Sequence, residues 1–491
     1  MHLLGFAVNP RPRSDETPRR NWSTTVNLEQ RSDSFLVSKT FAKPSLFRAP
    51  RSLFWVAFAL RVACIAIGHT YRVRVINDHF NFGFEAGRIA KSLVEGHGYA
   101  NPFNGVSGPT AWLPPIYPLL LALAFKLFGV YTNAAAFFVL TVDSLFSALT
   151  APAVYEIAAR CFDANGIARR ASTKVAPVAL WSGWLWALYP AALQYAVHWF
   201  WETSLSTGIF AWTLVLALRL RGVGEINEDA QRDGIGQLGR WAAFGALWAL
   251  VALSNASILI GLPAAGLWVI WPKLRSRQLR NIVAGPVLAG VVFAAVMSPW
   301  WIRNERAFGT FVATRSNFGA ELYESTLPSH DGFPWGPTLP MWSGAPKFKL
   351  YAQMGEIRYS AMRKQQAIER IRENPTQFLR WAGDRFLFFW TNIPHPPENK
   401  LLQEIGRRVN YSFLSLAGLF GLALALRRRV PGAALMGWMF LLLPLPYYFV
   451  TVQARFRHPL EPLITVLGVY LFRSTEARTT APQKKASEVV A

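Results

Sequence analysis

Long apolar runs alternate with polar connections, and every second connection is basic. This pattern constrains the chain more than any other. The runs lie at about 52–70, 133–160, 175–197, 204–219, 241–256, 258–272, 282–299, 409–426, 431–450 and 459–473. Helices of this length suit a bilayer, where each backbone polar group must be satisfied within its own segment. Arg48 and Arg51 precede the first run, and Arg160, Arg169, Arg170 and Lys174 follow the second. Arg219 and Arg221, then Lys273, Arg275, Arg277 and Arg280, then Arg427, Arg428 and Arg429 mark later connections. An excess of Lys and Arg marks the cytoplasmic side. The sequence therefore predicts that 71–132, 194–203, 301–405 and 451–458 face outward.

Composition agrees. The chain of 491 residues is 52% hydrophobic and only 16% charged. A net charge of +23 would suggest nucleic acid in a soluble protein. Here the cations sit between apolar runs and set topology, which argues against nucleic acid. Cys64 and Cys161 build no disulfide framework, and no ligand-spaced Cys/His cluster or phosphate-binding glycine motif is visible. The expected fold class is an all-α polytopic membrane protein with about ten transmembrane helices and helical outer-face loops. Residues 1–50 read as a disordered basic cytoplasmic tail and 51–300 as a transmembrane region holding the first outer loop, 71–132. Residues 301–405 read as a periplasmic loop region, 406–475 as C-terminal transmembrane helices and 476–491 as a cytoplasmic tail. Residues 115–129, interrupted by Lys126, read as an interfacial helix. Within 301–405, helices are expected at about 354–373 and 376–391, with Asn374-Pro375 between them.

The outer connections carry the chemistry. Residues 80–94 have helical spacing, and Gly/Pro residues then force a shaped loop up to Pro118. Asp78 can deprotonate an acceptor hydroxyl or hold a divalent cation; equally, it can cap the helix that follows. Glu85 is a second carboxylate on that side, or an i,i+3 partner of Arg88. Glu202, in HWFWET, is a third, or a first-turn charge favoured by the helix dipole. Arg455, Arg457 and His458 stand just before the last run. Guanidinium groups there match phosphate oxygens with paired donors, whether of a specific ligand or of lipid headgroups. Arg303, with Arg306, is a second anion candidate and Arg315 a third. Arg61 and Asp143 each fall near the middle of a run, where a lone charge is costly. An ion pair between them is one expectation; the other is that Arg61 snorkels or that either group faces a wet cavity.

The order of these parts resembles the membrane glycosyltransferases that use polyprenyl-phosphate sugars. Protein O-mannosyltransferases and lipid A aminoarabinose transferases, with the fold called GT-C, belong to that group. The likeness runs from about 50 to 473. It rests on Asp78, on Leu93-Val94-Glu95-Gly96-His97-Gly98-Tyr99 followed by Pro114-Pro115-Ile116-Tyr117-Pro118, on Pro299-Trp300-Trp301-Ile302-Arg303-Asn304, and on Arg455-Phe456-Arg457-His458-Pro459. It departs where His79 follows Asp78 in place of a second carboxylate, and where Thr110-Ala111-Trp112-Leu113 carries no acidic residue. The resemblance implies inverting hexosyl or pentosyl transfer from a polyprenyl-phosphate donor to a lipid, glycan or protein acceptor. The setting would be the outer face of a bacterial inner membrane, with both termini cytoplasmic. Asp78 and Glu85 would be catalytic, and Glu202, Arg303, Arg455, Arg457 and His458 would bind substrate. A divalent cation, where one is used, would sit at Asp78. The alternative is a transporter or flippase for lipid-linked sugars, which calls for internal repeats and interrupted mid-membrane helices. No repeat is visible in the sequence.

Overall fold

A computed structural model describes residues 50–73, 82–163, 178–224, 234–275, 283–328, 343–394 and 401–479. Asp78, residues 1–49 and most of the C-terminal tail lie outside the described residues. The helices in chain order are α1 (Pro50–Gly68), α2 (Glu85–Val94), α3 (Ile116–Phe128), α4 (Asn133–Ala158), α5 (Val178–Leu188) and α6 (Pro190–Val197). Then come α7 (Thr203–Leu220), α8 (Gly234–Ser254), α9 (Leu262–Arg275), α10 (Ala284–Phe308), α11 (Phe318–Glu324) and α12 (Pro346–Met354). The rest are α13 (Glu356–Glu373), α14 (Pro375–Thr391), α15 (Leu401–Arg427), α16 (Ala433–Leu442), α17 (Leu445–Phe449) and α18 (Glu461–Thr479). Among the described residues no strand occurs, and an isolated bridge joins Ala100 and Pro109. The all-α expectation holds.

Local chemistry sets many of the boundaries. Thr132 opens α4 by accepting from the Ala135 N–H at 3.1 Å, a side-chain cap for one orphan donor of the first turn. Tyr189 interrupts the 175–197 run, and Pro190, which has no N–H to leave unpaired, starts α6. Asn255 ends α8 in an extended conformation, and its side chain accepts from Ser257 N. Asn374 caps α14 and Pro375 occupies its first turn, so the breaker expected there acts as a cap. The sequence placed the end of one span at 299. Instead α10 runs through Pro299 to Phe308 and stops at Gly309, which takes the left-handed conformation.

Five helical segments are long and apolar enough to cross a membrane: Pro50–Gly68, Asn133–Asp163, Thr203–Leu220, Ala284–Phe308 and Glu404–Arg427. The ten expected crossings are therefore not all of this kind among the described residues. The breaks at Tyr189, Asn255 and Leu443–Pro444 divide other apolar runs into shorter pieces. Helix α4 is central and packs against α1, α3, α5, α6, α7 and α18. Helices α8 and α10 form another close pair, where a Cβ on Gly245 would lie 2.1 Å from the Ala289 carbonyl oxygen. In a bilayer such small-residue contacts matter because van der Waals packing, rather than removal from water, holds helices together.

The expected Arg61–Asp143 ion pair does not form. Arg61 donates to Ser147 Oγ, Ala57 O and Ala187 O, each at 3.0 Å. Asp143 accepts from the Tyr117 hydroxyl at 2.9 Å. Arg61 is thus met by α1, α4 and α5, and Asp143 by α3.

Candidate active site

The loop before α2, the turn before α7, the break after α8, the α10–α11 connection and the segment before α18 meet around one cavity of ≈ 710 Å³. Its size suits a ligand pocket. The charged and polar lining includes Glu85, Glu202, Arg315, Asn317, Glu321, Glu324, Gln453 and Arg455. An apolar side is formed by Ile260, Leu445, Pro446, Phe449 and Val450.

Backbone geometry brings the first two carboxylates together. Gly83 has φ +76°, and a Cβ there would lie 2.2 Å from the Phe200 carbonyl oxygen. Only glycine permits that approach, so the α2 entry lies directly on the turn carrying Trp201 and Glu202. Phe82 is buried beside it, 4.8 Å from Phe200 between ring centroids. Phe84 also has positive φ, at 51°, an uncommon conformation for a bulky residue and a local store of strain immediately before Glu85.

Arg455 enters from the opposite side. Its guanidinium lies 3.7 Å from the Trp201 ring centroid, and Trp199 stacks on Trp201 at 4.7 Å. Burial lowers the Arg455 pKa, while Glu202, Glu85 and Glu321 act in the other direction. Burial raises the Glu85 carboxyl, which Glu321 also favours and Arg88 and Arg455 oppose. Among the described residues no salt bridge joins Arg455 to these carboxylates, and its Nε has no hydrogen-bond partner. Arg315 donates Nε to Trp112 O at 3.1 Å and also lines the cavity. A net of carboxylates around an unpaired guanidinium can take up a proton on one side and meet an anion on the other.

The other expected site residues go elsewhere. Arg303 donates to Thr110 O at 2.6 Å, to Asn304 Oδ1 at 2.9 Å and to Tyr99 O. It thereby ties the first loop to α10 rather than lining this cavity. Arg457 is fully buried, paired with Glu461 at 2.6 Å. It donates to Tyr411 O at 3.0 Å and also to Ser415. His458 is buried between Trp186 and Tyr195, and neither ring nitrogen has a partner. Thus Glu85, Glu202 and Arg455 come together, while Arg303, Arg457 and His458 do not join them. No group of three or more His, Cys, Asp or Glu side chains that could hold a metal ion occurs among the described residues. These residues alone therefore do not form a divalent-cation donor set.

Sequence reasoning missed Glu321, Asn317, Trp201 and Tyr447 as cavity residues. It also missed Glu356, whose carboxylate is buried against the loop holding Thr110 and Ala111. An acidic residue opening a helix within the long 301–405 connection was the available signal for Glu356.

Known structures share this fold. Oligosaccharyltransferase AglB from Archaeoglobus fulgidus, in complex with an inhibitory peptide and a dolichol-phosphate, aligns at a TM-score of 0.51 and 14% identity. The alignment covers 89% of this chain and 52% of that one. The Archaeoglobus fulgidus oligosaccharyltransferase in complex with zinc and sulfate aligns at 0.50 and 13% identity, over 87% and 49%. ArnT from Cupriavidus metallidurans, bound to undecaprenyl phosphate, aligns at 0.36 and 15% identity, over 87% and 79%; that score is too low to infer a shared topology. The chain spans about half the length of the oligosaccharyltransferases it matches. No protein-family profile and no curated protein sequence matches the chain. The chain is an all-α membrane protein whose fold is similar to that of an archaeal oligosaccharyltransferase, the GT-C arrangement expected for it.

Proposed function

We propose that this protein is a glycosyltransferase. It moves a sugar from a polyprenyl-phosphate donor to an acceptor at the outer face of a bacterial inner membrane. The observation that carries this reading is the amphiphilic cavity, with carboxylates around an unpaired Arg455 at one side and apolar residues at the other. A lipid phosphate has that same division. The likeness in fold to enzymes of lipid-linked sugar chemistry raises the expectation without fixing the substrate.

The acceptor hydroxyl attacks the anomeric carbon. Its proton passes to a carboxylate, Asp78 or Glu85. The bond from the anomeric carbon to the phosphate oxygen breaks, and the polyprenyl phosphate leaves with the electron pair and an added negative charge. Arg455, with Arg315, is placed to meet that charge as it develops. Burial raises the Glu85 carboxyl and thereby makes it a stronger proton acceptor at neutral pH.

One observation favours the transporter reading: the break at Asn255 opens into the cavity between apolar helices. Incubating the purified protein with a panel of radiolabelled polyprenyl-phosphate sugars separates the two. Transferase activity consumes a donor and yields free polyprenyl phosphate, and Arg455→Ala lowers it about 100-fold. Movement of intact donor across proteoliposomes without consumption would establish transport instead. A wild-type protein that neither binds, consumes nor moves any donor would refute both.

A further inference from the structure

Glu356 opens α13, remote in sequence from the cavity residues, and is buried. Its carboxylate accepts four hydrogen bonds from three segments. The Thr110 hydroxyl and the Ser316 hydroxyl donate to it. Ala111 N–H donates at 2.6 Å and the Tyr351 hydroxyl at 2.7 Å. The segments it joins are also joined to each other. Ser316 N donates to Ala111 O at 3.0 Å, and within the first loop Trp112 N donates to Thr110 Oγ1 at 3.0 Å. Arg315, between these contacts, donates Nε to Trp112 O at 3.1 Å. The backbone beside Arg315 therefore rests on Ser316 and Ala111, which Glu356 holds, and its side chain on Trp112, the residue next to Ala111. Arg315 and Thr314 line the cavity, whereas Glu356 does not.

We propose that Glu356 is a positioning residue that fixes the Arg315 guanidinium in the cavity. A single carboxylate accepts from both loops at once. Losing it leaves the Ala111 N–H and three hydroxyls without their shared acceptor, and residues 110–112 can then move relative to 315–316. The place of Arg315 in donor binding rests on the proposed function; its fixation by Glu356 does not.

The test uses the full chain in lipid nanodiscs. In Glu356→Gln, peptides covering 108–114 and 312–318 should exchange amide hydrogen at least about 10-fold faster, together, while peptides of α4 are unchanged. Reaction of Arg315 with phenylglyoxal should change in parallel. Binding of undecaprenyl phosphate should weaken about 10-fold in Arg315→Ala and by a similar factor in Glu356→Gln, on the scale of one charge-assisted hydrogen bond. The double variant should be no weaker than Arg315→Ala alone, because both changes remove one interaction. Unchanged exchange, or strictly additive losses of binding, would overturn the proposal. Where Glu356→Gln fails to fold, Ser316→Ala removes one donor, and its exchange should rise in the same two peptides; no rise there overturns the proposal as well. Failure of the wild type to bind undecaprenyl phosphate would count against the proposed function, while exchange and phenylglyoxal reactivity would still decide the role of Glu356.

Discussion

Arg455 and Arg457 stand two residues apart in one 3-10 segment, Ala454–Leu460, and their surroundings are opposite. At three residues per turn, side chains two positions apart point about 120° away from each other. Phe456, between them, stacks on Tyr447 at 4.5 Å and holds the segment in register. Arg455 faces the cavity, stacked on Trp201, with carboxylates near it but none paired to it. Arg457 faces the bundle, paired with Glu461, with its guanidinium carbon 3.2 Å from the Tyr411 ring centroid. The Tyr189 hydroxyl donates to the same Glu461 carboxylate. One arginine is spent on the fold and the other is left for a ligand. A positive charge is informative about function only once its partners are known.

The largest expected effect falls on the buried member. Removing one half of a buried pair leaves the other charge uncompensated, at a cost of about 3–5 kcal/mol. Arg457→Ala should therefore collapse thermal stability, and the double change Arg457→Met with Glu461→Leu should recover much of it. The expected loss of transfer in Arg457→Ala is then a loss of folded protein. A well-folded Arg457→Ala with normal melting but no transfer would break the comparison.

Arg455→Ala is the next largest and should show the reverse pattern. Transfer should fall about 100-fold, the scale of one lost preorganised donor, with melting nearly unchanged. Arg455→Lys should recover only part, since an ammonium lacks the planar fork and stacks less well on Trp201. Equal turnover in wild type and Arg455→Ala would remove this residue from the site.

His458 extends the comparison to pH. Burial, with Arg457 and Arg61 nearby, pushes its pKa down to about 3. Below pH 6.5 the unfolded chain binds a proton that the native ring refuses. Stability is then lost as pH falls below the unfolded-chain range of histidine toward the native value. Neither ring nitrogen has a hydrogen bond to lose, so His458→Phe should fold and flatten that slope. Parallel pH profiles for wild type and His458→Phe would show that the ring is accessible to protons.

The chain's periodicity made much of the bundle legible, because apolar length and basic flanks act locally. The pair Asn374-Pro375 and the short step between the runs 241–256 and 258–272 were legible for the same reason: caps and breaks are made by residues near in sequence. The continuation of α10 past Pro299 was not, because a proline inside a helix is tolerated where neighbours re-satisfy the freed groups. For the site, Glu85, Glu202 and Arg455 were readable as polar groups beside apolar runs. The sequence makes Arg457 a phosphate ligand beside Arg455, and the structure pairs it instead with Glu461; the i+4 spacing of a helical ion pair is the local signal that this reading passes over. Arg303 offered no such clue. Two of its three acceptors, Tyr99 O and Thr110 O, lie in a distant part of the chain, and no local rule links them.

The smallest expected effect sharpens the cavity side. Glu85 lies within the field of Arg455, yet burial still raises its carboxyl pKa. A raised native pKa means that the native state disfavours the ionised form relative to the unfolded chain. Above the usual carboxylate range, ionised Glu85 therefore subtracts from stability, and that cost fades as pH falls through the range where the unfolded chain takes up its proton. Glu85→Gln keeps the shape without the charge. It should raise stability at pH 7 by up to about 1 kcal/mol, within the usual size of single substitutions, and the gain should vanish near pH 4. Transfer should fall at the same time, because the amide accepts no proton. Such an opposition is common where a group is kept for chemistry rather than for the fold. A destabilised Glu85→Gln at neutral pH would mean that Arg455 and Glu85 attract each other strongly enough to outweigh burial. The cavity would then be another structural ion pair, and the contrast with Arg457 would disappear.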